Sequence, residues 1–370
     1  MKLKKNYQLK NFRFALVILV LAISIIGVLV VGSAKPSLQN RQIFGVVLGI
    51  TAMLIVALFD YNWVLGFYWL MYAGNIILLV LVKLIGKEVN GAQRWIDLKF
   101  TTIQPSDFTK IFMILFFAKF IMNHEEDINE LKTILKCVVL ILPSLVLIFV
   151  QPNLSNTICI AALFCVLMFM GGLSYKFIRN VLLIVIPLVI LFLFIAVQPN
   201  QPFLKGYQQR RILSWLEPDK YADKEAYQQI NSLMAIGSGQ ATGKGLNNTG
   251  ATSVKNGNFI SEPQTDFIFA IIGEELGFVG CCIVIILLLL IVIQCIIVGM
   301  KAQNLSGQLI CGGVAALIGI QSFINISVAT RIFPNTGIPL PFVSYGLTSI
   351  VSFYIGIGLV LNVGLQPKKY

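Results

Sequence analysis

Ten stretches of the chain are apolar for long enough to bridge the ~30 Å hydrocarbon layer of a bilayer, which takes about 20 residues of helix. They are 12–31, 42–59, 63–85, 106–122, 134–150, 154–172, 179–197, 266–298, 306–330 and 344–364. The polar connectors between them are short, and Gln151-Pro152-Asn153 alone separates the fifth from the sixth. Two connectors are longer, 86–105 and 198–265. The pattern predicts an all-α integral membrane protein, residues 1–370 forming a single multi-pass domain of about ten transmembrane helices. The first run follows Met1-Lys2-Leu3-Lys4-Lys5 but exceeds the ~7–15-residue apolar core of a secretory signal, so it is expected to remain as a span.

Charge orients the spans. Over the short connectors Lys and Arg are in excess on the side of the N-terminus, which places both termini in the cytoplasm of a bacterial cell membrane. Both long connectors are then extracytoplasmic: an Arg-Trp loop at 86–105, and a large loop at 198–265 between spans 7 and 8. The second mixes Tyr207, Trp215, Tyr221 and Tyr227 with its charges and is expected to be folded.

Composition sharpens this picture by exclusion. Of 370 residues, 57% are hydrophobic and 12% charged, about half the charged share of a soluble domain, so a water-facing surface cannot be built. The apolar content excludes disorder, the aperiodic glycines exclude collagen, and sparse cysteine excludes a disulfide scaffold. The excess of 28 Lys+Arg over 16 Asp+Glu, a net charge of +12, belongs beside span ends and anionic headgroups. No basic block interleaves with aromatics, so membrane lipids are expected partners and nucleic acid is not. All seven cysteines lie in apolar runs, and the single histidine, His124, adjoins Glu125, Glu126 and Asp127 in a charged connector. Zinc sites and Ser-His-Asp or Cys-His catalysis have no support here.

Ionisable groups at or near membrane depth are costly and so become the candidates for chemistry. Arg94 and Trp95 adjoin in the first long loop; they read either as a belt Trp with a lipid-facing Arg or as a phosphate and sugar contact. Gln104-Pro105-Ser106-Asp107-Phe108-Thr109-Lys110 reads as a helix start, with Asp107 and Lys110 three apart and able to pair. The alternative is a Lys110 that faces a phosphate-holding cavity. Ser261-Glu262-Pro263-Gln264-Thr265-Asp266 leads into an apolar helix longer than a crossing needs. Asp266 is either an acid favoured by the helix dipole or a carboxylate tuned as general base. Glu274 and Glu275 follow about two turns on and, being ~100° apart, cannot share a face. Finally, Phe333 to Gly346 holds three prolines and two glycines, which forces non-helical backbone that must be buried in protein or line a wet cavity.

Taken together, these clusters resemble the SEDS family (shape, elongation, division and sporulation), most closely its RodA branch. The resemblance rests on Gly-Ala-Gln-Arg-Trp at 91–95, Gln-Pro-Ser-Asp at 104–107 with Lys110, Thr-Asp-Phe-Ile-Phe at 265–269, Gly-Glu-Glu-Leu-Gly at 273–277 and Thr-Gly-Ile-Pro-Leu-Pro-Phe-Val-Ser-Tyr-Gly at 336–346. Gly237-Ser238-Gly239, Gly243-Lys244-Gly245 and the pair Gln321 and Asn325 fit as well. Membership implies a peptidoglycan glycosyltransferase that polymerises lipid II into glycan strands and works beside a class B penicillin-binding protein. By the same resemblance Asp266 is the general base, and undecaprenyl pyrophosphate is the leaving group. It assigns substrate contact to Arg94, Trp95, Asp107, Lys110, Arg210, Lys244, Glu262, Thr265, Glu274, Gln321, Asn325 and Ser344, with Arg94 and Lys110 on the pyrophosphate side. No protein-bound metal is implied with certainty; a divalent cation, Mg or Mn, is an open option. The chain departs from the family pattern at Asn153, where an acid is common, at Asp107 in place of Glu, at Leu347 and at Arg331. The missing acid at Asn153 keeps open a non-catalytic scaffold for a penicillin-binding protein; many spans with a cavity and a phosphate site would also suit a lipid II flippase or other lipid transporter, against which the lack of matched halves counts.

Overall fold

The computed structural model describes residues 9–367 except 90–91, 98–101, 199–205, 222–225, 249, 251–252, 254–256 and 258. Its helices are α1 (Phe14–Ala34), α2 (Pro36–Leu58), α3 (Tyr61–Leu65), α4 (Tyr68–Ile85), α5 (Pro105–Asn123), α6 (Leu131–Val150), α7 (Leu154–Met170), α8 (Tyr175–Val197), α9 (Gly206–Leu216), α10 (Tyr227–Ser238), α11 (Ile268–Met300), α12 (Leu305–Ala329) and α13 (Leu347–Leu365). Each apolar run in the sequence corresponds to one of the ten long helices. Among the described residues, eight are long and apolar enough to cross a membrane. Two helices fall outside that set: α5, whose 19 residues include Asp107, Lys110 and Lys119, and α7, which has 17 residues.

Local chemistry sets the boundaries. Pro36 and Pro105 open α2 and α5, where a missing N–H costs nothing. Asn153 and Asn304 cap α7 and α12, accepting the N–H groups of Asn156 at 3.3 Å and Gly307 at 2.9 Å. Inside the bundle, where lipid offers no hydrophobic drive between helices, buried polar side chains tie neighbours together. Thr109 Oγ1 donates to Asn75 Oδ1 at 2.7 Å, and Asn75 Nδ2 donates to Ser144 Oγ at 3.2 Å, joining α4, α5 and α6. At one end of the bundle Asn362 Nδ2 donates to Ala57 O at 2.7 Å and its Oδ1 accepts the Tyr61 N–H at 2.9 Å, clamping α13 to the turn after α2. α13, α5 and α12 are the most buried long helices, and α8 is the most exposed.

Three departures from the sequence expectation lie at the opposite end. The 86–105 loop contains a small antiparallel sheet, β1 (Lys87–Val89), β2 (Ala92–Asp97) and β3 (Thr102–Ile103), in the order β1-β2-β3; strands this short leave no alternation to read. Asp266 precedes α11 rather than riding on it. α11 itself is interrupted at Gly277, whose φ of 66° and ψ of −165° are open to glycine almost alone. The break is filled by 240–245. Phe278 and Val279 donate their N–H groups to Gln240 O at 2.8 Å and Ala241 O at 3.1 Å, and the carbonyls of Glu274 and Glu275 accept Lys244 N–H at 2.9 Å and Gly245 N–H at 3.0 Å. Four groups that a continuous helix would satisfy internally are thus satisfied by another segment.

A sign test follows for Gly277→Ala. In an unbroken helix it would stabilise by about 1 kcal/mol; here it is expected to destabilise by about 1–3 kcal/mol, read as a lower thermal unfolding midpoint in detergent. A raised midpoint would mean that α11 is continuous.

Candidate active site

The segment 261–267 enters α11 through a tight turn. Glu262 has a left-handed φ of 56°, Thr265 donates both its N–H (3.1 Å) and its hydroxyl (2.9 Å) to Glu262 O, and Gln264 Nε2 donates to Glu262 Oε2. This turn is bound to the proline-rich 333–346 segment through backbone. Ser344 Oγ donates to Thr265 O at 2.6 Å and accepts the Leu340 N–H at 2.8 Å, while Tyr345 N–H donates to Gln264 O at 2.8 Å. From α2, Gln42 Nε2 donates to Val343 O at 3.3 Å. Asn325, one turn from the end of α12, uses its Nδ2 twice, donating to Asp266 O at 2.9 Å and Ile338 O at 2.7 Å. Asp266 is therefore fixed by its backbone, and its half-buried side chain stands against Gly337, where a Cβ would lie 3.2 Å from Asp266 Oδ2. Gly337 has a φ of 72° and no side chain to crowd the carboxylate.

A second cluster lies at the start of α5. Lys110 Nζ donates to Asp107 Oδ1 at 3.0 Å with both residues buried, so the i, i+3 pair is formed. Ser106 Oγ accepts Asn156 Nδ2 at 3.2 Å, joining α5 to α7. Arg94 donates through Nε to Gln151 O at 3.2 Å and through Nη2 to Pro152 O, bridging β2 to the α6–α7 turn. Trp95 is half-buried beside it; Gly91 of the same motif lies outside the described residues. Ser155 Oγ donates to Thr336 O, one residue before Gly337, and links this cluster to the first.

A third cluster flanks the break in α11. Lys244 Nζ donates to Glu274 Oε1 at 2.8 Å, and Ser33 Oγ, on α1, donates to Glu275 Oε1 at 2.5 Å. Both carboxylates are buried, and as their angular separation requires they reach different partners. Gln321 is fully buried one turn before Asn325, and neither of its amide atoms has a hydrogen-bond partner. Arg210 stands exposed on α9. Among the described residues no three of His, Cys, Asp and Glu come together, so they offer no ready donor set for a protein-built divalent site.

The sequence reading missed Ser33, Gln42 and Ser155 as parts of this arrangement, and it included Gly337 within the 336–346 motif without a role of its own. Ser33, Gln42 and Ser155 carried one usable signal, a polar side chain within or at the edge of an apolar run.

Comparison with known proteins gives the arrangement a family. The family model FTSW_RODA_SPOVE, described as cell cycle protein, matches residues 6–369. The chain belongs to this family. It is 32% identical over 359 residues to the peptidoglycan glycosyltransferase MrdB of Escherichia coli K12, covering 95% of this chain and 93% of the relative. It is 30% identical over 380 residues to the probable peptidoglycan glycosyltransferase FtsW of Trichlorobacter lovleyi, covering 99% and 96%. Among solved structures, a chain of a peptidoglycan synthase complex that coordinates polymerization and crosslinking superposes with a TM-score of 0.79 at 27% identity over 98% of each chain. The rod shape determining protein RodA of Thermus thermophilus superposes with a TM-score of 0.72 at 25% identity, covering 97% of this chain and 98% of that one. In common with that family the chain is a multi-pass membrane protein.

Asn325→Asp keeps the shape and removes the donors that hold Asp266 O and Ile338 O. It is expected to lower stability by about 2–6 kcal/mol, at 1–3 kcal/mol per abandoned buried acceptor, seen as a lower thermal midpoint at neutral pH. An unchanged midpoint would mean that these two carbonyls do not depend on Asn325.

Proposed function

We propose that this protein is a peptidoglycan glycosyltransferase that polymerises lipid II into glycan strands at the outer face of the cytoplasmic membrane, with Asp266 as general base. The observation that carries the reading is the mounting of Asp266. Its peptide is held by Asn325 and Ser344 while its carboxylate stands, half-buried, against a glycine. A general base needs that combination of fixed backbone and an open approach for substrate. The activity printed for MrdB and for FtsW supports it.

In this reading ten helices cross the membrane, both termini are cytoplasmic, and 86–105 and 198–265 face outward. The Asp266 carboxylate takes the proton from the 4-hydroxyl of the acceptor sugar as that oxygen bonds to the anomeric carbon of the lipid-linked donor. The bond from that carbon to the phosphate oxygen breaks, and undecaprenyl pyrophosphate leaves with the electron pair. Arg94, Lys110 and Lys244 supply positive charge within the site, each already engaged by a carbonyl or a carboxylate. Arg210, Trp95 and Glu262 are assigned to the outer rim, and Thr265, Ser344, Asp107, Glu274, Gln321 and Asn325 shape the wall. A class B penicillin-binding protein cross-links the strands; the peptidoglycan synthase complex among the structural neighbours supports a partner of that kind.

Purified protein with a partner transpeptidase and labelled lipid II is expected to make glycan strands. Asp266→Asn should reduce the rate by about 10²–10⁴-fold, the usual contribution of a general base, without lowering the thermal midpoint. Undiminished synthesis by Asp266→Asn would remove the base assignment, and an inactive wild type with every cognate partner would favour a scaffold.

A further inference from the structure

We infer that Ser33 on α1 is a positioning residue for Asp266, acting through Glu275; the inference rests on the glycosyl-transfer reading above. Ser33 lies in the last turn of α1 and is 6% exposed. Its hydroxyl donates to Glu275 Oε1 at 2.5 Å, the length of a charge-assisted bond, and Ser33 Oγ in turn accepts the N–H of Asn247 at 3.2 Å. Glu275 is 1% exposed and lies two residues before the break at Gly277.

The break gives this contact its importance. Residues 268–276 form a short rod, about 13 Å long at 1.5 Å per residue. Asp266 sits at one end, pinned by Asn325, and Glu275 sits at the other. Because Phe278 and Val279 send their N–H groups to 240–241 instead of back along the helix, the ladder into 278–300 no longer sets the direction of the rod. Its far end is aimed by what grips it there. The 244–245 backbone holds the carbonyls of Glu274 and Glu275, and Ser33 holds the Glu275 side chain together with the Asn247 backbone. Ser33 is thus where α1 grips both the rod and the segment that fills the break. None of this touches substrate, so its loss should appear as a misplaced base with substrate binding intact.

The test uses the full-length chain with its transpeptidase partner and fluorescent lipid II, and compares Ser33→Ala, Glu275→Gln, the double variant and Ser33→Thr. Ser33→Ala is expected to lower kcat about tenfold, since a displacement of ~1 Å can cost 10²-fold, with KM unchanged. Ser33→Thr, which keeps the hydroxyl, should recover most of the rate. The double variant should be no slower than the slower single variant, as for two groups acting as one unit. A wild-type kcat in Ser33→Ala, a loss confined to KM, or multiplicative losses in the double variant would each overturn the inference. If Ser33→Ala fails to fold, Ser33→Cys, nearly isosteric but only a weak donor, decides: a lower kcat with intact KM supports the inference, and a wild-type kcat overturns it. An inactive wild type sinks the glycosyl-transfer reading instead, whereas an active wild type with an unaffected Ser33→Ala sinks only this inference.

Discussion

Backbone polar groups within a bilayer must be satisfied by the protein itself, because hydrocarbon offers no partner. The whole site end of this molecule is organised around two places where the helical solution to that constraint is given up. One is Gly277 in α11, and the other is the segment from Thr330 to Gly346 between α12 and α13. Each interruption frees N–H and C=O groups that only particular partners can take. At Gly277 the partners are backbone groups of 240–245. Beyond α12 they include the side chains of Asn325 and Ser344 and, from the folded segment before α11, Gln229, whose Nε2 donates to Val328 O at 3.1 Å and Phe333 O at 2.8 Å. An irregular backbone held at these points is rigid, and Asp266 is mounted against the second interruption, one short rod away from the first.

The apolar pattern made most of the architecture legible. Each of the ten runs became a helix with ends shifted by a few residues, including α5, whose three charges weaken its apolar signal, and α7, which is short. What stayed hidden depends on contacts between residues far apart in sequence. Gly273-Glu274-Glu275-Leu276-Gly277 reads as helix, because a glycine inside a helix costs only ~1 kcal/mol; the break exists because 240–245 offers four matched backbone groups. The same holds for Asp266. It could be singled out as a candidate base from its neighbours in sequence, but its anchorage by Asn325 and Ser344, and the room left by Gly337, belong to the tertiary structure. Ser33 looked like one small polar residue in an apolar run and nothing more.

The buried charges share a second regularity. Asp107 is paired with Lys110, Glu274 with Lys244, and Glu275 accepts a hydroxyl proton from Ser33. A lone charge here would cost several kcal/mol, and removing one partner of a buried pair costs about 3–5 kcal/mol. These side chains thus hold one another as well as the fold, and their exchange for apolar residues would have to be made in pairs. At two departures from the family pattern the residue present still makes a local structural contact. Asp107 is a methylene shorter than Glu, yet at i, i+3 it still reaches Lys110 at 3.0 Å. Asn153 in place of an acid still caps α7, a duty that Asn and Asp perform about equally well.

Pairing also bears on how the proposed reaction would part with its product. An unpaired, buried ammonium beside the leaving group would bind undecaprenyl pyrophosphate tightly, and a polymerase must release that product at every addition. Lys110 and Lys244 are each neutralised by a carboxylate at 3.0 and 2.8 Å, so a pyrophosphate gains less from either than from a free cation. Drawing Lys110 fully onto the phosphate would strand Asp107 in a buried setting, at a cost of about 3–5 kcal/mol. The leaving oxygen gains part of a negative charge in the transition state and all of it in the product, so the same cost discounts the pull of the cation at both stages. A paired cation still favours the transition state over the bound donor, because the leaving oxygen carries more charge there, but by less than a free cation would. Within this mechanism the placement of Asp266 and the tempered cations both lower the barrier, and the pairing keeps the site from holding what it has just made.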